Sequence, residues 1–312
     1  MVEGSGSAYL PDIEEMEHRG MTAARRTFIF RLASTLTLWA VIAASMALNN
    51  AYGFFAIIFV LALMALREYF AMVKQLGTPV FTLTGMLCAA VYLVAGFFYQ
   101  VTHGNEAVPQ LEMAVLAGFL FVIFARQMWR KVADREPLES VAYTLFGLLY
   151  VPWMFNFMTK ILFLPPLDAS GAVTGQYYLV FLLVATKFSD MGAYVFGSLF
   201  GRHPFAPHIS PKKTWEGFWG ALVASLLGGM WVYALMPQRL SALRFGDVMV
   251  LSLLLGAVAV VGDLAESIIK RSTQTKDSSR MLPGIGGTLD LIDSLLFTAP
   301  LMYFYLRWIT DL

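Results

Sequence analysis

Acidic side chains recur at a regular spacing in one polar stretch of an otherwise apolar sequence, residues 262–294. Asp263 and Glu266 lie three positions apart, and Asp290 and Asp293 repeat this spacing farther along the chain. On a helix such a spacing places both carboxylates on one face. Two carboxylates about 5 Å apart repel each other by roughly 3 kcal/mol at an effective dielectric constant of about 20, and a cation relieves that repulsion. Because the donors are oxygens, the pattern predicts a hard ion such as Mg²⁺.

Basic residues in the same stretch support a second interpretation, in which they merely neutralise the acids. The acids are Asp263, Glu266, Asp277, Asp290 and Asp293, and the bases are Lys270, Arg271, Lys276 and Arg280. One net negative charge remains, so the count alone does not require a metal. The distribution favours one, because Asp290 and Asp293 have no basic residue beside them in sequence.

A second polar segment, residues 201–217, precedes an apolar run. Ser210 and Thr214 flank Lys212 and Lys213, and Glu216 falls where the first helical turn would begin. Hydroxyls, ammonium groups and the N–H groups of a helix N-terminus together form a receptor for phosphate. Helix capping combined with anchoring of the lysines on the cytoplasmic side is the alternative. Spacing alone leaves both interpretations open.

Lys187 and Asp190 lie three residues apart within an apolar run and so share a helix face. They either neutralise each other or contribute to a site, with Asp190 closer to the cytoplasmic end. The four histidines are scattered without ligand-like spacing, and Cys88 is the single cysteine. A disulfide within the chain and a metal site built from His and Cys are therefore excluded.

Composition indicates that these residues belong to a membrane protein. The 312 residues are 58% hydrophobic and 14% charged, whereas soluble proteins average about 25% charged residues. About nine apolar runs are long enough to cross the bilayer as helices, and barrel-like alternation is missing. The runs cover residues 28–48, 51–66, 80–99, 111–127, 140–163, 177–200, 215–236, 246–266 and 291–309. We therefore predict an all-α polytopic membrane protein.

The distribution of Lys and Arg predicts the orientation. Most of the 22 basic residues fall on one side of the membrane, and such residues accumulate in cytoplasmic loops. The N-terminus and the polar motifs are thus expected to face the cytoplasm. Residues 1–26 are expected to form a mobile cytoplasmic tail, and residues 27–312 a membrane domain whose catalytic half covers about 185–295. A net charge of +1 gives no reason to expect a nucleic-acid partner.

The motifs, taken together, resemble a known family. Residues 267–277 read SIIKRSTQTKD and residues 282–293 read LPGIGGTLDLID. This compound motif closely resembles the signature of phosphatidate cytidylyltransferases, also called CDP-diacylglycerol synthases. The segments SPKKTWEG at 210–217 and DMGAY at 190–194 resemble upstream motifs of the same family and occur in the same order. Roughly the C-terminal 40% of the chain is covered.

The resemblance implies a nucleotidyltransferase of phospholipid biosynthesis that converts CTP and phosphatidate into CDP-diacylglycerol and pyrophosphate. Asp263 and Asp290 would hold Mg²⁺, with Asp277 and Asp293 as further ligands and a second cation left open. Lys270 would act in catalysis. The residues expected to bind substrate are Asp190, Ser210, Lys212, Lys213, Thr214, Arg271 and Lys276. The enzyme would work at the cytoplasmic side of the cell membrane, and a homodimer is compatible with the sequence.

Two departures from the family pattern keep alternatives open. The family usually has His at the position of Ile285 and Arg at the position of Leu291. A catalytically weak homologue is therefore one alternative. A lipid kinase that uses CTP is another, and an ion-coupled transporter built around Lys187, Asp190 and Asp263 is the least favoured, because no paired inverted halves are evident.

Overall fold

The computed structural model describes Ala44 and residues 50–104, 108–129, 136–164, 174–275 and 287–310. Within these residues, 8 helical segments are long and apolar enough to cross a membrane. They coincide with eight of the nine predicted spans, from the second span to the ninth. The prediction of a helical polytopic membrane protein is therefore confirmed. The first predicted span and the predicted cytoplasmic tail lie outside the described residues, Ala44 apart.

The described part of the chain contains nine α-helices and one hairpin. The helices are α1 (Ala51–Lys74), α2 (Thr82–His103), α3 (Val108–Met128), α4 (Glu136–Leu148), α5 (Phe157–Phe163), α6 (Gln176–Phe200), α7 (Trp215–Leu235), α8 (Phe245–Ser272) and α9 (Thr288–Thr310). Strands β1 (Pro204–Ala206) and β2 (Ser210–Thr214) pair antiparallel between α6 and α7. The sequence does not predict this hairpin, because strands this short carry little alternation.

One membrane span is interrupted by proline. α4 continues into a π-helical turn, Leu149–Trp153, which contains Pro152, and α5 begins at Phe157. Proline has no N–H group and its ring clashes with the preceding turn, so regular α-helical hydrogen bonding is broken there. The segment Pro137–Phe163 still provides one apolar crossing.

The helices α6 to α9 form the half of the protein that carries the polar motifs, and α6 packs most extensively against α7. Glycines allow this approach, since a Cβ on Gly192 would lie 2.4 Å from the carbonyl oxygen of Gly220. Small residues at helix contacts are typical in lipid, where close packing rather than hydrophobic burial holds helices together. α8 in turn packs against both α7 and α9.

Replacing Gly262 by alanine is expected to lower the thermal unfolding midpoint, because α8 and α9 touch at this glycine. An added Cβ would lie 2.7 Å from the carbonyl oxygen of Asp293 and 2.9 Å from Cα of Ser294. Overpacking of this kind costs about 1–3 kcal/mol. Gly246→Ala on the same helix is the control, since nothing lies within 4 Å of its Cβ position. Equal midpoints for the two variants in detergent would contradict the close contact.

Candidate active site

A cavity of about 530 Å³ opens where the ends of α6 and α8 meet the beginnings of α7 and α9. Most of the residues predicted from sequence to bind substrate or metal line it, namely Asp190, Lys212, Lys213, Thr214, Asp263, Lys270, Asp290 and Asp293. Ser210 and Arg271 are not among its lining residues. Lys276 and Asp277 lie outside the described residues. The fold thus gathers motifs that are far apart in sequence into one cavity.

Three carboxylates converge at this cavity. Asp263 and Glu266 come from successive turns of α8, and Asp293 comes from the start of α9. One oxygen from each lies within 4.8 Å of the other two. Glu266 is 3% exposed and Asp293 is 6% exposed, so their charges repel each other in a poorly solvated place. We call these residues the acidic trio.

The donor set of the acidic trio fits a hard divalent cation. Its donors are carboxylate oxygens, and within the described residues no His or Cys lines the cavity. Oε1 of Glu266 is buried and has no hydrogen-bond partner in the described part of the chain. An unpaired buried acceptor costs free energy, and a cation would satisfy it. The residues present therefore fit a bound Mg²⁺.

Glu266 is the member of the trio that sequence reasoning does not assign to the metal. The sequence places it on the polar face of its helix, at the same spacing from Asp263 that separates Asp290 from Asp293. That repeated spacing makes Glu266 a candidate ligand but does not by itself select it. Glu266 joins the trio because of how α8 is rotated about its axis relative to α9. Tertiary packing sets that rotation, so it cannot be read from the local sequence.

Two lysines neutralise part of this negative charge. Nζ of Lys213, on β2, lies 2.8 Å from Oδ2 of Asp263. Nζ of Lys270 lies 3.0 Å from Oε2 of Glu266 and also contacts Oδ1 of Asp290. Asp290 has no basic neighbour in sequence, yet it is paired, because the end of α8 lies beside the beginning of α9. Asp293 makes no ion pair within the described residues.

A third lysine ties α6 to α9. Nζ of Lys187 donates to Oδ2 of Asp190 and to the carbonyl oxygen of Leu291, both at 3.0 Å. The hydroxyl of Ser294 lies 3.2 Å from Oδ1 of Asp190 and 3.2 Å from Oδ1 of Asp293, and its single proton can be donated to either. Lys187 and Asp190 therefore form an ion pair, which agrees with the interpretation that they neutralise each other. The same contacts also fix Asp190 at the cavity wall.

The hairpin holds its lysines over the cavity from the side of α7. Thr214 is the N-cap of α7, and its Oγ1 accepts from the backbone N–H of Gly217 at 3.2 Å. Glu216 accepts from the backbone N–H groups of Arg202 and His203 and pairs with the His203 ring at 2.6 Å. Thr214 therefore does cap the helix, while Lys212 and Lys213 line the cavity.

Arg271 has a structural contact instead of a position in the cavity. Its Nε donates to the carbonyl oxygen of Ile209 at 3.3 Å and so links the end of α8 to the turn of the hairpin. Ser210 begins β2 and pairs with Ala206. In the described structure both residues support the hairpin, and their predicted contact with substrate stays a prediction.

Residues 29–309 match the profile of the Cytidylyltransferase family. A protein of Escherichia coli named uncharacterized protein YnbB is 30% identical over 267 residues, which cover 82% of this chain and 78% of the relative. The phosphatidate cytidylyltransferases of Staphylococcus aureus and Staphylococcus epidermidis are 31% and 29% identical over 248 residues. Those alignments cover 78% of this chain and 85% and 86% of the relatives. Because the family profile covers nearly the whole sequence, this chain belongs to the cytidylyltransferase family.

Proposed function

We propose that the protein is a phosphatidate cytidylyltransferase, which makes CDP-diacylglycerol and pyrophosphate from CTP and phosphatidate. The observation that carries the proposal is the acidic trio beside Lys213 and Lys270, in one cavity at an end of a membrane bundle. Such a cavity combines oxygen ligands for a cation with ammonium groups for phosphates. Two relatives that match most of the chain carry the name of this activity.

In the proposed reaction, a phosphate oxygen of phosphatidate attacks the α-phosphorus of CTP in line. A new P–O bond forms there, and the bond to pyrophosphate breaks. The protein needs no covalent intermediate, because positioning and charge neutralisation supply most of the catalysis in such transfers. Asp263, Glu266 and Asp293 would hold Mg²⁺, which supplies positive charge to the phosphate oxygens. Asp290 lies beside them and remains a proposed ligand, as does Asp277.

The lysines have a second role in this scheme. In the described structure the ammonium groups of Lys213 and Lys270 contact carboxylates at the cavity, where phosphate oxygens can compete for them. Lys212 lines the same cavity without an ion pair in the described residues. The three side chains would orient the triphosphate, and Lys270 would balance the charge that develops at the reacting phosphorus.

The apolar part of the cavity suits a lipid substrate. Tyr194, Phe205, Phe218 and Val260 line it together with the charged residues. Tyr194 is 76% exposed, in a chain whose surroundings are largely lipid. A phosphate head group would reach the trio while its acyl chains stay against the apolar wall. The excess of Lys and Arg at this end supports a position of the site at the cytoplasmic leaflet.

The test compares CTP labelled at its α-phosphorus with CTP labelled at its γ-phosphorus. Purified protein is incubated with either nucleotide, phosphatidate and Mg²⁺, and the lipid fraction is counted. We expect label in lipid from α-labelled CTP alone, with release of pyrophosphate and no reaction in EDTA. Transfer of the γ-label to an added polyprenyl alcohol would instead identify a CTP-dependent lipid kinase. Absence of label from both nucleotides would reject the proposal.

A further inference from the structure

Glu68, on α1, contacts the beginning of α9 although it lies far away in sequence. Its Oε1 accepts from the backbone N–H of Thr288 at 2.9 Å, and its Oε2 accepts from that of Leu289 at 2.8 Å. Glu68 is 1% exposed. It does not line the cavity, and both of its carboxylate oxygens contact the backbone of α9.

This contact provides hydrogen-bond acceptors for backbone N–H groups at the start of α9. The first N–H groups of a helix have no partner within the helix, and burial without a partner costs free energy. Glu68 satisfies two of them, and its negative charge is favourable at the positive end of the helix dipole. Asp290 accepts from the backbone N–H of Gly287 at 2.9 Å and satisfies a third. The first turn of α9 is thus held by Glu68 from α1 and by Asp290 from α9 itself.

The first turns of α9 carry two of the acids at the cavity. Asp290 is the third residue of the helix, and Asp293 lies one turn farther on. A small shift or rotation of this end would move Asp293 away from Asp263 and Glu266. We propose that Glu68 is a positioning residue that sets the geometry of the acidic trio through the backbone of α9. The inference rests on the proposed function in that it takes the trio as a metal site.

The test compares Glu68→Gln with Glu112→Gln, which makes the same chemical change away from the site. Glu112 pairs with Lys160 at 2.7 Å and accepts from the Tyr92 hydroxyl at 2.6 Å, and it does not line the cavity. Both variants lose a carboxylate, which is buried at Glu68 and partly buried at Glu112. If Glu68 had a purely structural role, both variants would have a lower unfolding midpoint, and their affinities for metal would be the same.

Two measurements on the full chain in detergent distinguish the roles. Mn²⁺ affinity is measured by electron paramagnetic resonance without CTP or lipid, and amide hydrogen exchange is followed in the peptide that starts at residue 287. For Glu68→Gln we expect Mn²⁺ binding to weaken about 10-fold or more, as for other residues that orient metal ligands. Exchange at the start of α9 should also accelerate. For Glu112→Gln we expect neither change.

Unchanged exchange in Glu68→Gln, or an equal loss of Mn²⁺ affinity in both variants, would overturn the inference. A wild-type protein that binds no Mn²⁺ would also overturn it. Wild type that binds Mn²⁺ but makes no lipid-linked CMP would reject the proposed reaction and leave this inference standing. If Glu68→Gln fails to fold, Glu68→Asp is measured in its place. That variant keeps the charge on a shorter side chain, and the same weakening of Mn²⁺ binding is expected.

Discussion

Replacing Asp263 by asparagine is expected to lower the formation of lipid-linked CMP by at least about 100-fold, an effect typical of losing a metal ligand or a charge at the reacting phosphate. Asparagine keeps the shape of the side chain but removes one of the three charges of the acidic trio. The substitution also removes the carboxylate that pairs with Lys213, whose Nζ lies 2.8 Å from Oδ2 of Asp263. Turnover is measured with α-labelled CTP, and Mn²⁺ affinity is measured separately.

Asp247→Asn is the matched control for this variant, because it makes the same change on the same helix at its opposite end. Asp247 accepts from the backbone N–H of Arg244 at 2.9 Å and from the Tyr305 hydroxyl at 3.1 Å. The amide oxygen of asparagine can still accept from the N–H of Arg244, and its amide nitrogen can donate to the Tyr305 hydroxyl oxygen, so turnover should change little. Comparable activity in Asp263→Asn and Asp247→Asn would show that the trio does not carry the reaction.

Replacing Lys270 by methionine is expected to destabilise the protein and to abolish turnover. Its ammonium group lies between Glu266 and Asp290, and only 18% of its side chain is exposed. Removing one partner of a buried ion pair leaves an uncompensated charge, which costs about 3 kcal/mol. The thermal unfolding midpoint, measured in EDTA, should therefore fall. Lys74→Met is the control, because Lys74 is exposed at the end of α1.

The response of this variant to metal gives an independent check. Without Lys270 the carboxylates carry more uncompensated charge, so a divalent cation should stabilise the variant more than it stabilises the wild type. We expect Mg²⁺ to raise the unfolding midpoint of Lys270→Met by more degrees while turnover stays absent. A midpoint equal to that of the wild type in EDTA, or the same response to Mg²⁺, would contradict the assigned pairing.

The membrane fold follows from local information. A helix that crosses the bilayer needs about 20 apolar residues, and α1, α2, α3 and α6 to α9 each satisfy this without reference to the rest of the chain. The position of the cavity is also accessible from sequence. Successive spans run in opposite directions, so the end of α8 and the beginning of α9 must lie on one side of the membrane. Asp263, Lys270, Asp290 and Asp293 therefore meet.

The contacts that shape the site depend on the orientation of each helix about its own axis relative to its neighbours. The spacing of residues along one helix does not reveal that orientation. Glu266 completes the acidic trio, and Lys270 reaches Asp290, because α8 and α9 touch through Gly262. Glu68 reaches the start of α9 from a helix that carries none of the motifs. At Leu291, where the related family usually has arginine, the backbone carbonyl accepts from Lys187. Ile285 lies outside the described residues.

A crystal of the protein grown with Mn²⁺ and CTP, measured at a wavelength where manganese scatters anomalously, would locate the cation itself. We expect an anomalous peak among the carboxylates of Asp263, Glu266 and Asp293, at metal–oxygen distances close to the value of about 2.0–2.1 Å typical of Mg²⁺. A nucleotide phosphate should share the ion, with Lys213 turned toward it. A peak elsewhere, or ordered CTP in the cavity with no peak at these three carboxylates, would contradict a metal-dependent cytidylyl transfer at this site.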